Sequence, residues 1–382
     1  MEKLFSGERR KILRQECNIC TFFLLPLRNS SVGGEIENFA ILHSNISPYP
    51  RAFNFSKNLK GLYLKRVKVS EANRKGLLKT LFNFDHTVIK LEISECDLGN
   101  LNYTLVRGDF VFANISVNEW TVSQGRAIDI SGYSVNMKDN IIRVSGAGSG
   151  DIEMRIRENG SLTMQSNRLE FTEAGATRPM FEVMSIKFSD FINFVKISGS
   201  NLGRIKSNFM SGIELRKNLE ISESTMKLDG ENILNITTRK FIFRQNYVEA
   251  LITEALNVSV REEAEITNNI FDHLQSQSLL ANIKPKTQMS KLEFLNNSFQ
   301  AFERGFLEVH PDWDNSEMML ALDKINLRVP CDCNLIQIAS ARETRTQTEN
   351  KLIKSSFCNG DTNSGNFILH FIIFIFQRKF ET

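Results

Sequence analysis

The chain has 382 residues, with 47 basic against 44 acidic side chains and a formal net charge of +3. So even a balance lacks the clustered basic face that nucleic-acid recognition needs, and no nucleic-acid partner is expected. Twenty-nine Phe against five Tyr and two Trp leave few amphipathic aromatics to line a sugar-binding groove.

In residues 1–30, Arg9, Arg10, Lys11 and Arg14 precede an apolar run from Cys17 to Leu27. That is the order of a secretion signal peptide, although Asn18 and Pro26 interrupt the run; the competing reading is an N-terminal cap strand. Residues 31–87 read as a lead-in segment and N-terminal cap. It is irregular to about residue 60, with first strands at Leu62, Leu64, Val67 and Val69. From Glu71 to Phe84 the spacing of Leu77, Leu78, Leu81, Phe82 and Phe84 predicts a short amphipathic helix over the open end of a core.

From residue 88 to about 330 one pattern recurs: apolar, polar, apolar, two residues, Asn, one residue, apolar. The clearer copies place Asn140, Asn167, Asn208, Asn246, Asn269 and Asn297 at the Asn position, and weaker ones place Cys96, Asn118, Asp190 and Ser224 there. The steps between successive positions are 22, 22, 27, 23, 18, 16, 22, 23 and 28 residues. Apolar residues two apart share one face of a short strand. The Asn is expected to turn the chain, because Asn tolerates left-handed backbone, and stacked Asn side chains can bond in a ladder. A coil of this size cannot bury its apolar face alone, so neighbours must stack, and the in-phase Phe residues predict a stacked aromatic core. Cys96 reads as a buried single thiol.

Residues 331–360 form a cysteine-containing C-terminal cap, with Cys331, Cys333 and Cys358 as disulfide candidates. The ten-residue apolar run from Phe367 to Phe376, within the tail 361–382, is half the roughly 20 residues of a membrane span. Membrane association is expected only if that tail is an anchor. Nine Asn-x-Ser/Thr sequons, at Asn29, Asn45, Asn54, Asn102, Asn114, Asn159, Asn235, Asn257 and Asn296, favour an extracellular or cell-surface location.

The coil pattern resembles the pectin-lyase-like superfamily of right-handed parallel β-helices over about residues 88–330. The resemblance implies an all-β right-handed parallel β-helix and no particular reaction, since that superfamily mixes lyases, hydrolases, tailspikes and adhesion proteins. The alternative is a leucine-rich-repeat solenoid, which expects a further Leu eight before the Asn; Arg261, Thr238, Ser200 and Asn159 stand there in four copies. Val88 to Leu101 is the copy most like a leucine-rich repeat, and Cys331-Asp-Cys333 resembles the four-cysteine cap of extracellular proteins of that kind. Only three cysteines are present here, so either the fourth of that cap is lost with the tail, or the cap is a different one-disulfide arrangement with Cys358 paired to Cys331 or Cys333 and the other left free.

Chemistry is thinly represented. Of the signatures of polygalacturonases, the hydrolases of the fold, only Arg204-Ile205-Lys206 is present, and no paired carboxylates supply an acid and a base. Asp312 to Glu317 alternates carboxylates but has Glu317 where a calcium loop needs Gly, and reads as a solvated loop. Gly146-Ala-Gly-Ser-Gly150 opens no helix, as a phosphate loop would, and reads as a turn. His43, His86, His273, His310 and His370 form no ligand pair, so no metal or cofactor is expected. The function expected is non-enzymatic binding of a protein or glycan along the side of the solenoid, past outward residues such as Arg239, Lys240, Glu263, Glu265, Lys291 and Glu293. The alternatives are a polysaccharide-active enzyme of the pectin-lyase-like fold, marked by a groove with two acids and a base, and a leucine-rich-repeat ectodomain.

Overall fold

The computed structural model describes residues 12–16, 21–23, 37–47, 53–54, 58–69, 80–101, 103–122, 127–144, 152–171, 184–205, 207–314, 319–323, 325–330, 347–354, 356–359 and 367–368. It is a parallel β-solenoid of about 9 turns, the repeating right-handed type of β-helix that the coil pattern predicts. The chain divides into two units. The first is Met1–Arg157, Ser166–Thr177 and Val183–Lys187; the second is Glu158–Gln165, Arg178–Glu182 and Phe188–Thr382.

In each unit a coil carries a long strand, a tight corner and a short strand. In the first unit the long strands Thr80–Ser94, Thr104–Ser116 and Ile128–Lys138 lie side by side, and the short strands Asp97–Leu101, Glu119–Val122, Ile141–Val144 and Arg168–Phe171 form another sheet. In the second, the long strands are Met210–Ser222, Leu234–Arg244 and Leu256–Thr267; short strands run from Asn201–Arg204 to Ile325–Pro330. All these pairings are parallel. Among the described residues only Ser356–Asn359 with Phe367–Ile368 is antiparallel.

Alternation explains the strands. In Leu234–Arg244 the residues Leu234, Ile236, Thr238, Phe241 and Phe243 are buried, and Arg239 and Lys240 break the alternation by pointing outward in succession. The register shifts at that place against both neighbouring strands. A bulge of this kind bends a strand, so one long strand wraps two sides of the coil.

The corner differs in one respect from expectation. The left-handed residue is the one before the buried Asn: Glu95, Val117, Asp139, Ser166, Gly199, Glu223, Gln245, Asn268 and Asn296 have φ between +51° and +58°. Freed from turning the chain, the buried residue bonds from coil to coil. In the first unit the N–H groups of Cys96, Asn118 and Asn140 donate to Oδ1 of Asn118, Asn140 and Asn167 at 3.0, 3.2 and 3.3 Å. Each Asn also donates through Nδ2 to a carbonyl of the preceding coil: Asn118 to Ile93 at 2.9 Å, Asn140 to Ile115 at 2.8 Å and Asn167 to Met137 at 2.9 Å. The second unit repeats this. Ser200, Ser224, Asn246 and Asn269 donate their N–H groups to Ser224 Oγ and to Oδ1 of Asn246, Asn269 and Asn297 at 3.3, 3.1, 2.9 and 3.0 Å. These bonds give the buried amides of the corners their partners, which a buried turn requires, although Ser94 Oγ beside the first corner has none.

Two assigned corners move. Asn208 is exposed and itself left-handed at φ +59°, in a turn whose Asn208 N–H donates to Glu231 O at 3.0 Å, and Asp190 is also exposed. The corner of that coil is Ser200, 2% exposed, because Val195 and Ile197 supply the buried pair five and three residues before it. The expected helix also fails where it can be seen: Thr80–Phe84 opens a strand, with Leu81 and Phe82 fully buried, and residues 70–79 lie outside the described ones. The lead-in, expected to be irregular, contains strands at Asn38–Leu42 and Asn45–Ser47. Ile12–Glu16 and Thr21–Phe23, within the segment ordered like a signal peptide, pair with these two in parallel.

The aromatic core is stacked as predicted. Phe241, Phe243, Phe271 and Phe299 follow one another at centroid distances of 5.9, 6.3 and 5.2 Å, with Phe271 and Phe299 only 6° from parallel.

Candidate functional site on the outer face of the long strands

With the interior filled, side chains able to meet a ligand stand outside the coils. In the first unit the register sets Arg107 beside Asp129. Asp129, 3% exposed, is reached by Arg107 at 3.3 Å and Arg155 at 3.2 Å. Glu153, equally buried, is reached by Arg155 at 2.6 Å and Lys187 at 3.1 Å. Next to this cluster Arg157 pairs with Asp109 at 2.5 Å, donates from Nε to Ser131 Oγ at 2.9 Å and lies 5.5 Å from the Tyr133 ring. Two carboxylates and a base therefore do collect here, the feature set out as the mark of an enzyme. The Arg155 guanidinium bridges them, however, and stands where a glycosidic bond would have to enter between acid and base.

The second unit has chains of the same kind. Lys240 meets Glu263 at 2.8 Å, Lys291 meets Glu263 at 3.4 Å and bonds to Glu293, and Arg239 pairs separately with Glu262 at 2.5 Å. Glu263 is held below the usual carboxylate range, first by the hydrogen bond from Lys240, and Lys291 is raised, first by its bond to Glu293. Five outward residues singled out in the sequence, Arg239, Lys240, Glu263, Lys291 and Glu293, thus belong to these ion pairs. Glu265 instead accepts a hydrogen bond from Thr267 Oγ1 at 3.2 Å.

The other candidates have structural duties. Arg204 pairs with Asp229 at 2.6 Å and Ile205 is buried, while Lys206 lies outside the described residues. In the carboxylate loop, Asp314 accepts from the N–H groups of Gln347 and Thr348 at 3.1 and 2.9 Å, capping the helix Gln347–Lys354. Trp313, fully buried, donates from Nε1 to Ile283 O at 2.7 Å. Gly146 to Gly150 lie outside the described residues. Among the described residues no group of three or more His, Cys, Asp or Glu is placed to hold a metal, and no helix is long and apolar enough to cross a membrane.

Cys96 is a free, buried thiol. It replaces Asn at the corner as an acceptor: its Sγ accepts from Val67 N–H at 3.4 Å, while its single S–H has Ser94 O of its own coil at 3.1 Å, nearer than Leu64 O at 3.5 Å. Burial pushes its pKa up to about 11. Cys331 and Cys333 lie outside the described residues, and Cys358 lies in a strand opposite Leu327.

Sequence reading missed the Asp129–Arg155–Glu153 cluster, since Arg155 and Glu153 lie two apart in one strand while Asp129 meets Arg155, and Lys187 meets Glu153, only across coils, 26 and 34 residues apart. The signal present was charge recurring at coil period on outward positions. A scan against protein-family models and searches of curated proteins and of solved structures find no match to this chain.

Proposed function

We propose that the chain is a non-enzymatic binding protein of the extracellular space or cell surface that presents the outer face of its long strands to a protein or glycan. The observation that carries this reading is the bridging of Asp129 and Glu153 by Arg155. The most buried outward carboxylates are tied into the surface and leave no gap for a substrate bond. For the coils, the pectin-lyase-like β-helix is the finer identification. It is supported by the short strands after each corner, which form sheets of their own, and by Arg261, Thr238 and Asn159, which occupy the position where a leucine-rich repeat expects Leu.

The test is a depolymerisation assay of the full chain on neutral and acidic polysaccharides, run beside D129N and E153Q. The reading predicts no turnover by the unmutated chain. Turnover abolished by D129N or E153Q would establish the second reading, a polysaccharide-active enzyme, which the gathering of two acids around one base favours.

A further inference from the structure

The bend of the long strands in the second unit carries a column of cations. Register leaves Arg216 and Lys217 unpaired between Leu215 and Asn218, opposite Arg239. Arg239 in turn stands opposite Arg261 and Glu262, between the pairs Thr238–Val260 and Lys240–Glu263. Val260 pairs with Pro285, and Lys286 N–H donates to Val260 O at 2.6 Å, which sets Lys286 beside Arg261. Four successive coils each place a cation at one corner, at an inter-strand step of about 4.8 Å, so the column runs roughly 14 Å. All five side chains are exposed.

Their charge is incompletely answered. Arg239 pairs with Glu262 at 2.5 Å and Arg261 with Glu214 at 2.7 Å. Exposed pairs of this sort are weak and screened by salt, so a ligand anion can replace either carboxylate. Arg216, Lys217 and Lys286 have no acidic partner among the described residues. Nor does the position demand cations, since in the first unit the residues seven before the corner are Ile89, Val111 and Tyr133, of which Ile89 and Tyr133 are exposed.

We propose that this column binds a linear sulfated or carboxylated polysaccharide, laid along the solenoid with its charges meeting successive coils. The inference rests on the reading of the outer face as a binding surface and names its ligand class. Arginine forks match such oxyanions bidentately, and the scarcity of aromatics, which disfavours grooves for neutral sugars, does not matter to a site read by charge. Single-stranded nucleic acid is the weaker fit, because its sites add aromatic platforms for the bases and no aromatic stands among Arg216, Lys217, Arg239, Arg261 and Lys286.

The test is salt-dependent binding of the full chain to heparin, with R216Q/K217Q/K286Q compared against K60Q/K65Q/K68Q, an equal charge loss on the first unit. The expected result is at least a tenfold weaker affinity and a shallower salt dependence for the first variant, and a change under twofold for the control. Circular dichroism confirms that both variants fold. Equal losses in the two variants, no heparin binding at about 50 mM salt, or tighter binding of oligothymidylate of equal charge would overturn the proposal. If heparin fails while a protein or neutral glycan binds and is lost on substituting other outward residues, only the column is wrong. If no ligand of any class binds, the reading of the outer face falls with it.

Discussion

Val117 holds the left-handed corner position at φ +55° while half-exposed. A β-branched side chain pays a steric cost there of roughly 1–2 kcal/mol. Val117→Asn is therefore expected to stabilise the chain by about 1 kcal/mol, read as a raised denaturant midpoint. One position later the demands are opposite. Asn140→Ala strands the Asn118 N–H and the Ile115 carbonyl in the interior, at about 1–3 kcal/mol for each orphaned group. Asn140→Ser is expected to cost less, because Ser224 shows that a hydroxyl can accept the preceding N–H; Ser224 Oγ, however, donates to its own coil's Ser222 O at 2.8 Å rather than across coils. Equal losses for Ala and Ser would contradict the ladder's division of labour. Cys96 should resist thiol reagents at neutral pH until the chain unfolds, because burial holds its pKa at about 11.

At the scale of the element, the Phe file shows why the second unit is rich in one residue. Phe271 stacks on Phe243 and Phe299 from the coils on either side. Phe271→Ala should cost about 3–5 kcal/mol, whereas the same change at exposed Phe191 should cost under about 0.5 kcal/mol. This regularity was legible in the sequence, because Asn246, Asn269 and Asn297 each carry apolar residues five and three before them and all of these prove buried. Legibility ended where the chemistry of the corner changed. Ser200 has no amide, so the pattern attached itself to Asn208, which does turn the chain, but at an exposed bend. The propensity of Asn for left-handed backbone was assigned to the buried Asn, when burial and bonding, not turning, are what that position requires. At Thr80–Phe84 helical spacing was outweighed by pairing of Phe82 with Phe53 and Val106. The surface pairs add a pH dependence. Glu263 is held below its unfolded value of about 4.3, first by Lys240. Its contribution is therefore complete above that value and is lost as pH falls through the lower folded one. Glu263→Gln should flatten the acid-side fall in stability below about pH 5, measured by denaturant titration at stepped pH.

At the scale of the whole molecule, each unit is a stack in which a coil contacts mainly its neighbours, so stability is set by interfaces between coils. Two buried ladders run through them, Cys96 to Asn167 in the first unit and Ser200 to Asn297 in the second. With the corner amides bonded from coil to coil, the outer face is left to carry function, which is why the ligand class was the part of the account least legible beforehand. Cations recur in the sequence throughout, and only the register shows which of them align. Amide hydrogen exchange, resolved at the corners, tests this most directly. The N–H groups of Asn118, Asn140, Asn246 and Asn269 should exchange at the slow limit set by opening of the unit that holds them, as buried hydrogen-bonded core amides do. Exchange of these four as fast as amides of exposed turns that make no hydrogen bond would mean that the coils are not clasped at their corners, and would contradict the account.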